Sequence, residues 1–555
     1  MNKYMHRDAR RGVIALAAMW AATWAASTQA ATYYVAPNGS DGAAGSKAAP
    51  WKSFAKAQEA AASGDTVYFR GGAYVYTAGV NTCTSTTATV NAITLSKSGA
   101  DGQPIRYWAY PGEKPVFDFS RMKDNCRVKA FNITASWLHL KGLEIKGAPQ
   151  QPGNLANNES WGVWIRGSHN ILEALDTHHH MGPGLFLADG SHNLILNVDS
   201  HHNYDPYSKS GAGQNADGFG AHIKANQPGN VFRGCRAWAN TDDGFDLINA
   251  YSPVVIEHSW AWLHGYLPGT TTSIPAGNGN GFKIGGFSGV YQPNAPVHVV
   301  RFSVAFRNKV NGFYANHHPV ANQFYNNTAA NNGVGFNLLG IAPDNTAVNL
   351  GVARNNVAYG GTAAANTAGT DTSHNSWNLA QAPTADDFQG VSTSGWDAPR
   401  LPDGSLPVLP HFHLAPRSDL VDAGIDVGLP YTGRAPDLGA YEGTDAVALY
   451  RDVSASVKVT QSGLTFDRAT GTQRGTVTIT NTTDQAIDGS LLLRLDYLSD
   501  GVSLQSAGQS LGGAPTLKLP VASLAPGQSA TLATTFVNPE RVAIGYTPAL
   551  IATDL

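Results

Sequence analysis

The run VWIRGSHNILEALDTHH (163–179) is followed by LFLADGSHNLILNVDSHH (185–202), and the two correspond at a spacing of 22 or 23 residues. Further on comes a Gly-Phe series: Asp217-Gly-Phe219-Gly220, Asp243-Gly-Phe245-Asp246, Asn280-Gly-Phe282-Lys283, Asn311-Gly-Phe313-Tyr314 and Val334-Gly-Phe336-Asn337. Its phenylalanines stand 26, 37, 31 and 23 residues apart. A basic period of about 23–26 residues with insertions marks a solenoid. The units hold short β-branched strands parted by Gly and Asn, with no crossover helices. Leucine-rich repeats would space their leucines regularly, and propeller blades would be longer. The pattern predicts an all-β parallel β-helix.

Outward from this region the chain divides. Lys3, Arg7, Arg10 and Arg11 precede the apolar run VIALAAMWAATWAA (13–26), and Thr28-Gln-Ala30 offers a small-residue cleavage site. That is a secretory leader over 1–30, too short for a spanning helix. Residues flanking Arg10-Arg11 fit a twin-arginine signal poorly, so the leader reads as Sec-type and the protein as secreted or periplasmic. Over about 52–62, Phe54, Ala57 and Ala61 fall on one helical face, as expected of an N-terminal helix capping an open sheet end. PDLGAYE (436–442) reads as a closing strand. From 450 the texture becomes alternating strands with regular turns, predicting a small immunoglobulin-like β-sandwich over 450–555 after a β-helix over 31–445.

Of 555 residues only 14% are charged, with net charge −3. No general nucleic-acid or membrane-surface binder is expected, and nothing points beyond a monomer. Cys83 and Cys126 are placed to bridge two N-terminal loops in an oxidising compartment, while Cys235, in VFRGCRAW, reads as a small buried core residue. Asn203, Asn240, Asn308, Asn331 and Asn356 recur near strand ends; stacked amides at tight corners account for them better than substrate binding. His178-His-His180 and His201-His202 recur at the repeat spacing and read as stacked structural imidazoles rather than a metal site. Trp161 and Trp164 suit sugar stacking and packing equally.

The Gly-Phe series also serves as a ruler. Coils stack about 4.8 Å apart, so equivalent residues form columns. One column is Asp217, Asp243, Asn280, Asn311; the column after the Phe is Gly220, Asp246, Lys283, Tyr314. With Asp242 adjoining, four carboxylates fall into one patch, which needs a counter-charge. A hard divalent cation, calcium outside the cell, supplies it. Lys283 lies one coil on. It either pairs with Asp246 or, its ammonium disfavoured by the cation, acts as a general base; the carboxylates and the Gly-cleared surroundings favour the base. A cation beside a neutral amine suits β-elimination on a uronic-acid polymer.

At these residues the sequence resembles polysaccharide lyase family nine, the right-handed parallel β-helix pectate lyases. The resemblance rests on QNADGFGAHI (214–223), GNVFRGCRAWANTDDGFDLI (229–248), GNGNGFKIGG (277–286) and HVVRFSVAFRNKVNGF (298–313), and is strong over about 160–340. It implies calcium ligands at Asp217, Asp242, Asp243 and Asp246, a base at Lys283, and polygalacturonate as substrate. Lys224, Asn280, Arg307 and Tyr314 are candidate substrate binders. Four carboxylates around one Ca²⁺ leave a formal −2, so basic groove residues or further calcium ions should offset it.

Two other readings compete. An inverting polygalacturonase would use Asn215-Ala-Asp217, Asp242-Asp243, His264-Gly265 and Phe282-Lys-Ile284, but Asp246 would then lack a task, and Phe282 stands where a substrate-binding Arg is expected. A calcium-stapled adhesin or carbohydrate-binding β-helix would leave Lys283 idle.

Overall fold

The computed structural model describes residues 30–553 other than 86–87, 152–158, 445–449, 500, 506, 508 and 512. The expected leader lies, but for Ala30, outside the described residues. From Thr32 the chain winds into coils of three short strands, for example Trp161–Ile165, Ile171–Glu173 and Asp176–His178. Each strand pairs in parallel with its counterpart one coil away. Stacked, they make three parallel sheets: sheet I of 10 strands, containing Trp161–Ile165; sheet II of 12, containing Ile171–Glu173; and sheet III of 10, containing Asp176–His178. This is a right-handed parallel β-helix.

The ruler holds. Phe219, Phe245, Phe282, Phe313 and Phe336 are direct partners in sheet I, and so are Gly220, Asp246, Lys283, Tyr314 and Asn337. All four neighbouring ring pairs of that column stack with centroids 4.8 Å apart. The glycine before each Phe is required by close approach. A Cβ on Gly244 would lie 2.5 Å from the Gly281 carbonyl oxygen and 2.6 Å from His264 Nε2. The 37-residue interval before Phe282 is one coil whose excess leaves as the loop Tyr266–Asn278, without disturbing the register.

Buried corners are held by amide ladders running along the axis. In the one entering sheet I, each backbone N–H donates to the side chain one coil on: His180 to Asn203, Asn203 to Asn240, Asn240 to His264, His264 to Asn308 and Asn308 to Asn332. Asn203, Asn240 and Asn308 were expected here, but two assignments are corrected. Asn332, not Asn331, is the ladder residue; Asn331 takes the adjacent left-handed position, φ 53°. Asn356 belongs to another corner, between Asn327 and Asn375. The remaining histidines stack as expected, His178 on His201 at 4.8 Å and His179 on His202 at 5.3 Å.

The helix forms over Phe54–Ala60, with the Ser53 side chain accepting from Lys56 N–H. Phe54 enters the end of the barrel, its ring 4.6 Å from Phe69 and 4.8 Å from Tyr107. Cys83 and Cys126 are joined in a disulfide, and Cys235 is buried. PDLGAYE is not a strand. Gly439 sits at φ 102°, outside strand geometry, and Leu438 and Ala440 instead pack on the outer face of sheet III. There they join Trp396 and Phe412 in covering the column Trp238, Trp262, Phe306. Beyond 450 the strands described are antiparallel, in two five-stranded sheets and one two-stranded one, around a core that includes Leu491, Leu493 and Phe536, as a β-sandwich requires.

Asn240 Oδ1 accepts from Asn203 N–H and Nδ2, and its own Nδ2 donates to the Ser200 carbonyl, all fully buried. Asn240→Ala strands those groups at about 1–3 kcal/mol apiece. Urea unfolding of this variant should show a stability loss of about 3 kcal/mol or more.

Candidate active site: a carboxylate cluster facing a lysine

Asp217 and Asp243 stand two residues before the stacked phenylalanines of neighbouring coils, and Asp242 precedes Asp243. All three are buried. They offer oxygen atoms that lie within 4.8 Å of one another. Asp217 Oδ1 accepts from Asp243 N–H at 3.1 Å, Asp242 Oδ1 from Asn278 N–H at 2.7 Å, and Asp243 Oδ1 from Asn280 N–H and Nδ2, both at 2.8 Å. Asp246 lies outside this trio. Its Oδ2 accepts from Lys283 Nζ at 2.9 Å and its Oδ1 from Ile248 N–H at 2.7 Å.

Lys283 Nζ also approaches Asp243 Oδ2, at 3.1 Å. That contact is an ion pair without a well-formed hydrogen bond, and Asp243 Oδ2 receives no other. A buried carboxylate oxygen that accepts no hydrogen bond is costly. Together with the converging oxygens it makes a donor set for a hard cation: oxygen-only, mostly carboxylate, and unlike the nitrogen and sulfur sets of softer metals.

Charge crowding is written into the proton affinities. Burial, then Asp246 and Asp243, pushes Asp217 well above the usual carboxylate range. Burial, then Asp243 and Asp217, does the same to Asp242. Asp243 is also raised by burial, although the Lys283 ammonium works against it. Burial disfavours the Lys283 ammonium, but the carboxylates of Asp243, Asp246, Asp242 and Asp217 outweigh it and hold the proton well above the ordinary lysine range. The protein by itself therefore forms the Lys283–Asp246 ion pair and does not present a neutral amine.

The candidate substrate binders are dispersed. Asn280 is buried: its Nδ2 is spent on Asp243 and its Oδ1 accepts from Asn311 Nδ2 at 2.6 Å. It is placed to hold Asp243, not to reach a groove. Tyr314 follows Lys283 in its column, with its hydroxyl 3.0 Å from His317 Nδ1. Lys224 lies past the end of sheet I, exposed and paired with Asp189. Arg307 lies past sheet III, lining a cavity of about 560 Å³ with Tyr266 and Thr393. Several residues of sheet I's outer face were not foreseen. Phe186 sits one coil from Gly220 in the Asp246–Lys283 column, and the ring of His222, whose buried Nε2 has no hydrogen-bond partner among the described residues, lies 4.6 Å from that of Phe186. Only the alternation of the strands could have signalled them.

Residues 33–375 match the family model described as Pel9A-like, right handed beta helix region. Pectate lyase L of Dickeya chrysanthemi is 38% identical over 416 residues, covering 74% of this chain and 90% of that protein. Pectate lyase L of Paenibacillus polymyxa (strain SC2) is 33% identical over 389 residues, covering 66% and 78%. The chain belongs to polysaccharide lyase family nine. Among solved structures, pectate lyase Pel9A aligns with TM-score 0.62 at 35% identity, over 74% of this chain and 96% of that one. A rhamnogalacturonan lyase aligns with TM-score 0.64 at 36% identity, over 69% and 96%. This protein is thus a polysaccharide lyase. The hydrolase alternative also fails locally, because His264 is fully buried as a ladder residue and Phe282 points into the core.

A divalent cation held by the trio should stabilise the fold by about 2.7 kcal/mol at a hundredfold excess over its dissociation constant. Calcium should accordingly raise the melting temperature of the native chain, and Asp243→Asn, which keeps the shape and removes the charge, should abolish that rise.

Proposed function

We propose that the protein is a calcium-dependent pectate lyase that cleaves polygalacturonate by β-elimination, with Lys283 taking the C5 proton. The observation supporting this most directly is Lys283 Nζ at hydrogen-bond distance from Asp246 and 3.1 Å from Asp243, one coil beyond the carboxylate trio. Asp217, Asp242 and Asp243 would hold calcium, with Asp246 between them and the base. Bound calcium supplies charge neutralisation of the uronate carboxylate, which acidifies C5–H. Lys283 must be neutral to act, so its ammonium has to give up its proton once the carboxylates beside it are otherwise compensated. The lysine then takes the C5 proton, the electron pair forms the C4–C5 double bond, and the C4–O bond breaks. The departing oxygen takes a proton from water, leaving a 4,5-unsaturated sugar. Action outside the cytoplasm is supported by the Cys83–Cys126 disulfide.

A second substrate has a specific observation behind it, the rhamnogalacturonan lyase neighbour at equal similarity. Incubating the protein with each polymer and following ultraviolet absorption of unsaturated ends separates the two: polygalacturonate should give product and a rhamnogalacturonan backbone should not.

Lys283→Ala should fold and lower kcat by about 10²–10⁴-fold on that assay. Because the base works only when deprotonated, kcat should climb as pH rises toward the alkaline side. Chelator should abolish turnover at every pH.

A further inference from the structure

The outer face of sheet I continues past the carboxylates. In the column of Asp246 and Lys283 the preceding coils place Gly220, then Phe186, then Trp164. Phe186 lies over Gly220, where a Cβ would come within 2.5 Å of its ring, and stacks on Trp164 at 4.8 Å and 12°. Lys129 Nζ also lies over the Trp164 ring, 3.8 Å from its centroid. This lysine is unusual. Among the described residues no carboxylate pairs with it, although its neighbour Arg127 pairs with Glu159. Burial, then Arg127 and Arg166, lowers its proton affinity to about 8. Arg166, two residues beyond Trp164, is 53% exposed and only loosely tied to Asp189 at 3.5 Å, an acid that Lys224 and Gln227 also engage.

A half-buried cation without a counter-ion destabilises the free protein, and a cation–π contact worth about 0.5–2 kcal/mol offsets only part of that. An anion arriving in the groove would offset the rest. Three coils, roughly 14 Å at the sheet spacing, separate Trp164 from Asp246. One pyranose advances a polymer by about as much as one coil, so an oligouronate lying along the column would bring a carboxylate several sugars from the scission point to this cation. We propose that Lys129, with Arg166 beside it and Trp164 and Phe186 as its floor, forms a distal subsite that binds a carboxylate of an acidic polysaccharide. The assignment rests on the lyase reading of Lys283 for the direction of the groove.

The test measures binding apart from turnover. In a Lys283→Ala background, affinities for oligogalacturonides of graded length are compared with and without Lys129→Met, which keeps the stem on Trp164 and removes the charge. Oligomers long enough to span from residue 283 to residue 129 should bind about tenfold more weakly to the Met variant. Shorter ones should be unaffected, added salt should shrink the difference, and Lys129→Arg should restore it. Equal affinities at every length would overturn the subsite, and so would a loss of the same size at every length. Absence of unsaturated product from the native enzyme would overturn the lyase assignment of Lys283 instead, leaving the affinity comparison to decide the subsite.

Discussion

Everything in the site depends on one constraint: coils cannot stack at any spacing but that of the sheet. Five phenylalanine rings in a column, each 4.8 Å from the next, hold sheet I in that register. Such pairs are worth about 0.5–1.5 kcal/mol each beyond the area they bury. The glycine before each ring lets the backbones close, since a Cβ there would strike the next coil's carbonyl. A residue's partners are then fixed by its offset from the Phe. Asp217 and Asp243 have no freedom to separate, and burial, reinforced by the neighbouring carboxylates, raises their proton affinity instead. The core enforces a charge arrangement that the charges themselves oppose.

The opposite flank of the cluster is ordered by dipoles. Asn366 Nδ2 donates to Asn337 Oδ1, Asn337 to Asn311, Asn311 to Asn280 and Asn280 to Asp243 Oδ1. Every amide in this series points the same way, toward the carboxylate. A chain of hydrogen bonds polarised in one direction strengthens each member, most of all where it ends on an anion. The β-helix axis thereby acquires a local polarity: carboxylates in two coils, the lysine in the next, and donors beyond it. Asn280 belongs to that support, which explains why it is buried although a substrate contact would need it exposed.

Features measured from the Gly-Phe series were legible in the sequence because they need only an offset and a period. The fold class, the columns through Asp246 and Lys283, and the loop before Phe282 all follow from it. Some of what lay off the ruler was not legible. Arg307 and Lys224 follow strands whose ends turn away from the carboxylates, and no periodicity reports the direction of a corner. Asn331 and Asn332 differ by one residue, and either type of corner position accepts asparagine, so composition could not choose between them. Phe186 lacks the Gly-Phe marker because its strand reads Leu-Phe-Leu, with the leucines inward and the ring outward. Lys129 looks like an ordinary surface lysine until its missing partner is noticed. The histidines were read correctly for a simple reason, that repetition at the coil spacing forces stacking.

The proton affinity of Lys283 shows why sequence and structure pull in different directions at this residue. A cation bound among the carboxylates would lower it; the protein's own charges raise it. Both statements describe one linked equilibrium. The carboxylates that could hold a cation are the same ones that keep the lysine charged, so compensating them and freeing the amine would be a single event. Arginine could not take this position, because its guanidinium stays protonated whatever the neighbouring charges do. On the proposed assignment, a lysine flanked by Asp246 and Asp243 is a base whose strength is set by the occupancy of the cluster beside it. On the proposed assignment, then, Asp246 is shared between the two functions, and its separation from the trio is what lets it serve both. It stands close enough to raise Asp217 and touches Lys283 directly, as Asp243 also does, so the charge state of the cluster reaches the base through both.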